Sequence, residues 1–151
     1  MNSAADFAKK SLEDMLSFFG QNITVDAQIS EDVIELNVPS TSINGFLIGQ
    51  NGDNLRAMQH ILISMLKNAE QELTRVNLDI AEYKKQRADR LAEQVVQWAE
   101  AVKKSGQPME LHAMNAADRR TVHRTITDTD GVSSESAGEG RDRHAVISPT
   151  N

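Results

Sequence analysis

Ile48-Gly49-Gln50-Asn51-Gly52 decides how the first half of this 151-residue chain is read. The pentapeptide separates two apolar helical segments, Ser40–Leu47 and Asp53–Leu66. Glycine lets the backbone turn tightly and lets an anion come close, because no Cβ intervenes. A helix starting at Asp53 directs its first N–H groups toward that turn, which favours a phosphate there. A Gly-x-x-Gly alone is unspecific, since many turns contain one. Its flanks give it weight.

Upstream, residues 4–19 have the spacing of an amphipathic helix, with Ala8, Leu12, Met15 and Phe19 on one face. Ile23, Val25, Ala27 and Ile29 then alternate with polar residues. After the turn Ser30-Glu31-Asp32, Ile34, Leu36 and Val38 alternate again, which predicts an antiparallel hairpin. Pro39 closes the second strand because it has no N–H for a ladder. Downstream, Leu55, Met58, Leu62 and Met65 form the buried stripe of the helix 53–66, and Val76, Leu78 and Ile80 form a third strand. The order α-β-β-α-α-β over residues 4–81 predicts a two-layer sandwich with helices on one face of three strands.

The second half, 82–150, opens with a long helix, Glu82–Lys104, which carries Leu91, Val95, Trp98 and Val102 inside. Lys84, Lys85, Arg87 and Arg90 read as its solvated face. No Pro/Gly/Ser-rich linker separates the halves, so a stiff helical junction is expected. Met109, Leu111 and Ala113 alternate as a short strand. Asn115 caps a helix over 115–126, with Asp118 at the third position of a capping box. Val132–Ser136 and His144–Ile147 read as strands joined by the turn Ala137-Gly138-Glu139-Gly140. The class is α+β.

Composition narrows the chemistry. Apolar residues make up 39% and charged residues 25%, as in a folded globular chain. There are no cysteines, so disulfides and thiolate metal sites are excluded. No run approaches the ~20 apolar residues that span a bilayer, and no signal-peptide pattern opens the chain, so membrane insertion is not expected. Net charge is −6, but unevenly spread. Residues 1–81 hold 11 acidic and 5 basic side chains; residues 82–104 hold 4 and 6; residues 105–151 hold 7 and 5. Any polyanion must meet a local patch, with salt-sensitive affinity. His60, His112 and His144 are isolated and lack zinc spacing. The phenylalanines fall mainly in core patterns, so aromatic stacking surfaces are not expected.

A second constellation is Arg119-Arg120-Thr121-Val122-His123. Positions four apart share a helix face, so Arg119 and His123 flank the buried stripe of Val122 and Ile126. Arg120 and Arg124 extend the basic surface, with Arg141 and Arg143 before the last strand. Guanidinium groups offer forks for phosphates and planes for stacking on bases. Spacing alone does not separate this from an ordinary solvated helix.

The two halves together resemble the KH and R-3-H domains of the bacterial Jag (SpoIIIJ-associated) family. The resemblance is carried by Phe46-Leu47-Ile48-Gly49-Gln50-Asn51-Gly52, then Leu55, Ala57-Met58-Gln59 and Leu62, then Val76–Ile80 with Tyr83. In the second half it is carried by Met114–Arg120, His123, Ser136, Gly138, Glu139, Gly140 and Arg143. It implies a KH fold over 4–81 and an R-3-H fold over 82–150, the latter a long helix, a short helix and a small three-stranded sheet. It implies a non-enzymatic, cofactor-free, cytoplasmic binder of single-stranded RNA, leaving single-stranded DNA open. Nucleic-acid-binding residues would be Ile48, Gly49, Gln50, Asn51, Gly52, Arg119, Arg120, His123 and Arg143. Family members act in post-transcriptional control of cell elongation and division, and pair with a small single-KH protein. Two departures stand out. The chain opens directly on the first KH helix, so the Jag-N segment is expected to be missing. Gln50-Asn51 stands where the family usually carries a basic residue. Beside RNA binding stands a protein-interaction adaptor, which the acidic first half also suits. An enzyme is disfavoured, because neither a Walker lysine nor a carboxylate cluster accompanies these residues.

Overall fold

A computed structural model describes residues 3–150 of the protein. Two compact units divide it, Met1–Lys84 and Lys85–Asn151. The first contains α1 (Ser3–Ser17), β1 (Asp26–Ser30), β2 (Val33–Val38), α2 (Asn44–Ile48), a 3-10 turn at Gln50–Gly52, α3 (Asp53–Asn68) and β3 (Val76–Ile80). The α-β-β-α-α-β order is the expected one. β1 and β2 form the antiparallel hairpin, and β3 lies parallel to β2. Register follows from apolar alternation: Ile34, Leu36 and Val38 stand opposite Val76, Leu78 and Ile80, and all six side chains are buried. α1 contributes Ala4, Ala5, Ala8, Leu12 and Leu16 to that core, and α3 contributes Leu55, Leu62 and Leu66.

Several expected details shift. α1 ends at Ser17, so Phe18 and Phe19 fall beyond it and are 87% and 43% exposed. Leu16 takes the core place expected of Phe19. On α2, Leu47 turns inward and Phe46 is 61% exposed. The phenylalanines therefore do leave an aromatic surface: Phe19 and Phe46 pack edge to face with centroids 5.2 Å apart. β1 starts at Asp26 rather than Ile23, and Ile29 on this edge strand is exposed. α2 is shorter than the segment Ser40–Leu47, because Asn44 accepts from the Thr41 N–H and ties the preceding turn. Leu66 rather than Met65 is the fully buried residue at the end of α3.

The second unit contains most of α4 (Tyr83–Ser105), β4 (Met109–Glu110), α5 (Ala116–Thr127), β5 (Val132–Ala137), a 3-10 turn at Gly140–Asp142 and β6 (His144–Pro149). β6 is the central strand, antiparallel to both β4 and β5. The core joins Val95, Ala99 and Val102 of α4 to Val122 and Ile126 of α5 and to Ala145 and Ile147 of β6. Leu91 and Trp98 are only partly buried against it. β4 stops at Glu110, although the Leu111 N–H still bonds to the Ala145 carbonyl.

One side chain on the supposed solvated face of α4 is structural. Arg87 donates to both carboxylate oxygens of Asp118, at 3.0 and 2.6 Å. Asp118 is the sole buried charged residue among those described, at 7% exposure. The Asn115 side chain caps α5 by accepting from the Asp118 N–H at 2.9 Å, while the Asp118 carboxylate turns to α4. Breaking a buried pair leaves one charge unpaired, which costs about 3 kcal/mol. Arg87→Ala is therefore expected to destabilise the second unit by about that amount in urea unfolding followed through Trp98 fluorescence. A loss under about 0.5 kcal/mol, the scale of an ordinary surface change, would contradict this role.

Candidate nucleic-acid interface

In the first unit the glycine turn has a conformation that other residues resist. Gly49 has φ +74° and Gly52 φ +78°. A Cβ on Gly49 would lie 2.7 Å from Asn54 Cγ and 2.9 Å from the Asn54 backbone nitrogen. The Asn54 side chain crosses this gap and donates to the Phe46 carbonyl at 2.8 Å, fixing α2 to α3. Asn51 also has positive φ, at 54°, a region asparagine tolerates well. No side chain caps the start of α3 at Gly52. The turn thus offers backbone and two amide side chains beside a helix N-terminus, which suits an anion. Ile48 is half-buried against the core, and Gln50 and Asn51 are exposed.

Gly52 is itself buried, and a Cβ there would stand 3.0 Å from Tyr83 Cε1, 3.2 Å from Arg56 Nη1 and 3.4 Å from the Tyr83 hydroxyl. Substitution at Gly52 would thus disturb the fold as well as any ligand. Sequence reasoning missed Arg56 as a neighbour of the turn. The available signal was its position one helical turn after Gly52. Lys84 also belongs to this region: it donates to Asn77 Oδ1 and to Gln59 Oε1, the latter at 3.4 Å. Burial pushes its pKa below the ordinary lysine value, against the pull of Asp79 and Glu35, while Arg56 adds to the lowering. Gln59 also accepts from the Leu78 N–H at 2.9 Å, occupying a donor on edge strand β3.

In the second unit Arg119 and His123 are engaged with their own fold. Arg119 Nη1 donates to the Met114 carbonyl at 2.7 Å. The Met114 N–H donates to the Arg143 carbonyl, and Arg143 Nη1 donates to the Gly138 carbonyl at 2.8 Å. A chain of bonds therefore brings Arg119, Arg143 and the glycine turn together. Gly138 has φ +80°, and a Cβ on it would press to 2.9 Å from the Asp142 carbonyl oxygen. His123 bridges α5 to β5: its Nδ1 lies 2.7 Å from Ser134 Oγ and its Nε2 2.7 Å from Ser136 Oγ. Arg120, Arg124 and Arg141 are exposed. The pair at spacing four is thus neither a plain solvated face nor wholly available to a ligand. Its two members set the frame, and their neighbours present the charge.

Residues 84–149 match the family model of the R-3-H domain. The match spans nearly the whole of the second unit and less than half of the chain. Over 144 residues the chain is 27% identical to RNA-binding protein KhpB of Clostridium symbiosum, covering 95% of this chain and 65% of that protein. It is 28% identical over 130 residues to RNA-binding protein KhpB of Streptococcus pneumoniae serotype 2, covering 83% of this chain and 39% of that protein. A Bacillus subtilis protein of the same name is 24% identical over 143 residues, covering 93% and 68%. The Jag-family resemblance read from the motifs is borne out by these relatives across most of the chain. The chain thus spans about two thirds or less of most of the curated relatives it matches. Among the described residues, no helix is long and apolar enough to cross a membrane, and no three His, Asp or Glu side chains could jointly hold a metal ion.

His123 is expected to act first as a clip. His123→Ala removes both links from α5 to β5 and should lower the stability of the second unit by about 1–2 kcal/mol, the sum of two ordinary hydrogen bonds. Urea unfolding followed through Trp98 reads it, and an unchanged midpoint would show that the clip carries no stability.

Proposed function

We propose that this chain is a single-stranded RNA-binding protein with two modules, a KH module over 4–81 and the R-3-H module over 82–150, acting as a post-transcriptional regulator in the cytoplasm. The observation that carries the reading is the Gly49–Gly52 turn. Its two glycines have positive φ, the loop pair is exposed, and no side chain caps the helix that follows. A phosphate can lie against such a turn, with base edges meeting the apolar side of Ile48. The names of the relatives and the R-3-H match support RNA as the ligand. In the R-3-H module Arg119 and Arg143 use one donor each on the backbone contacts described, and a guanidinium has five. They keep donors for a second stretch of phosphates beside Arg120 and His123. Two weak contacts carried on one chain reinforce each other through effective concentration.

The exposed Phe18, Phe19 and Phe46 favour a second reading, in which the acidic first unit docks a protein, such as a small KH-domain partner. A chain that is monomeric at all concentrations and retains no protein after nuclease treatment would exclude it.

The RNA reading is tested with charge changes that preserve shape. Gln50→Glu with Asn51→Asp adds two carboxylates to the turn at positions their parents already occupy. Fluorescence anisotropy with a labelled single-stranded oligoribonucleotide at low salt should show roughly a tenfold loss, about 1.4 kcal/mol. Arg120→Gln should flatten the slope of log K against log salt by about 0.7, the share of one single-strand phosphate. Wild-type affinity in the first variant would remove the clamp, and an unchanged slope in the second would remove Arg120 from the phosphate path.

A further inference from the structure

The glycine turn lacks a cation of its own, since its variable pair is Gln50-Asn51. The neighbouring helix turn supplies one. Arg56 Nη1 stands 3.2 Å from the point where a Gly52 Cβ would be, so the guanidinium occupies the space that the absent side chain leaves open. Its other terminal nitrogen, Nη2, bonds Asp53 Oδ1 at 2.6 Å. That pair is open to solvent, with the Arg56 and Asp53 side chains 46% and 71% exposed. Ion pairs so exposed contribute little and exchange partners readily. Asp53 also lies in the first turn of α3, where its carboxylate would repel an arriving phosphate unless neutralised.

We infer that Arg56 is the phosphodiester-binding cation of the first unit, held at the turn by Asp53 and transferred from that carboxylate to a backbone phosphate when a single strand arrives. The inference rests on the clamp reading proposed above and adds to it the residue that replaces a basic loop. The guanidinium suits the task because its planar fork of donors fits phosphate oxygens as well as it fits a carboxylate, so it can pass from one to the other. Tyr83 Cε1 stands 3.0 Å from the same point, so the arginine shares this space with an aromatic ring. Lys84 is a poorer candidate, because its ammonium is committed to Asn77 and Gln59.

The experiment is a double-mutant cycle on the full chain, with anisotropy of a labelled single-stranded oligoribonucleotide measured across a salt series. Arg56→Gln should weaken binding about fivefold at low salt and lower the salt slope by about 0.7, with an unchanged melting curve. Asp53→Asn should tighten binding when Arg56 is present, and by clearly less in the Arg56→Gln background, because much of its gain comes from freeing the guanidinium. Arg56→Lys should recover part of the affinity, as a point charge replaces the fork. Wild-type affinity and slope in Arg56→Gln, with Gln50→Glu/Asn51→Asp still weakened, would overturn the role of Arg56 and leave the clamp standing. Equal tightening by Asp53→Asn in both backgrounds would also overturn it, since simple loss of repulsion would then suffice. Normal binding by both the loop variant and Arg56→Gln would overturn the clamp and this inference together.

Discussion

Everything in the first unit hangs on a turn that admits no Cβ. At Gly49 the missing side chain is replaced by the Asn54 amide, which reaches over to the Phe46 carbonyl; at Gly52 it is replaced by Tyr83 and Arg56. The two glycines let α3 begin directly behind an exposed, uncharged loop. The parallel pairing of β2 and β3 then fixes α3 over the sheet, because Leu55, Leu62 and Leu66 must share one core with Leu36 and Leu78. On a chain of net charge −6 an anion can be met only by a local arrangement, which is what the proposal assigns to this turn and Arg56.

The second unit solves a different problem, which is how to hold a row of like charges on a short helix. Arg119, Arg120 and Arg124 lie on the twelve-residue α5. The helix is held by a side-chain cap at Asn115, the buried Arg87–Asp118 pair, and the His123 links to Ser134 and Ser136. Residues with chemistry suited to a ligand thus spend part of it internally. Arg119 aligns with Arg143 through backbone carbonyls, so the guanidinium groups are oriented before any ligand arrives, which reduces the ordering cost of binding.

Much of this was legible from residue order. Apolar alternation gave β2 and β3 their inward faces, and helical spacing marked Leu55, Leu62, Val95 and Val102. The Asn115 cap was legible because its signal is local. Illegible features depend on residues distant in sequence or on where a helix stops. Arg87 and Asp118 are 31 positions apart, and nothing in the basic face of α4 distinguishes Arg87 from Arg90. Ser134 looks like an ordinary strand residue, and Ser136, although it carries part of the resemblance, shows no partner until His123 reaches it. Phe18 and Phe19 continue the apolar pattern of α1 but fall past its end at Ser17. Arg56 belongs to no motif, and only its place one helical turn after Gly52 hints at the contact that the glycine turn creates.

The most direct measurement is a titration of the isotope-labelled full chain with a short single-stranded oligoribonucleotide at low ionic strength, followed by amide and arginine side-chain resonances. Two groups of signals should move together: the amides of residues 49–54, and the arginine side chains of residues 119–124. Spectra in which neither group responds while the protein remains folded would contradict the claim that an amide turn and an arginine-bearing helix jointly hold a single strand.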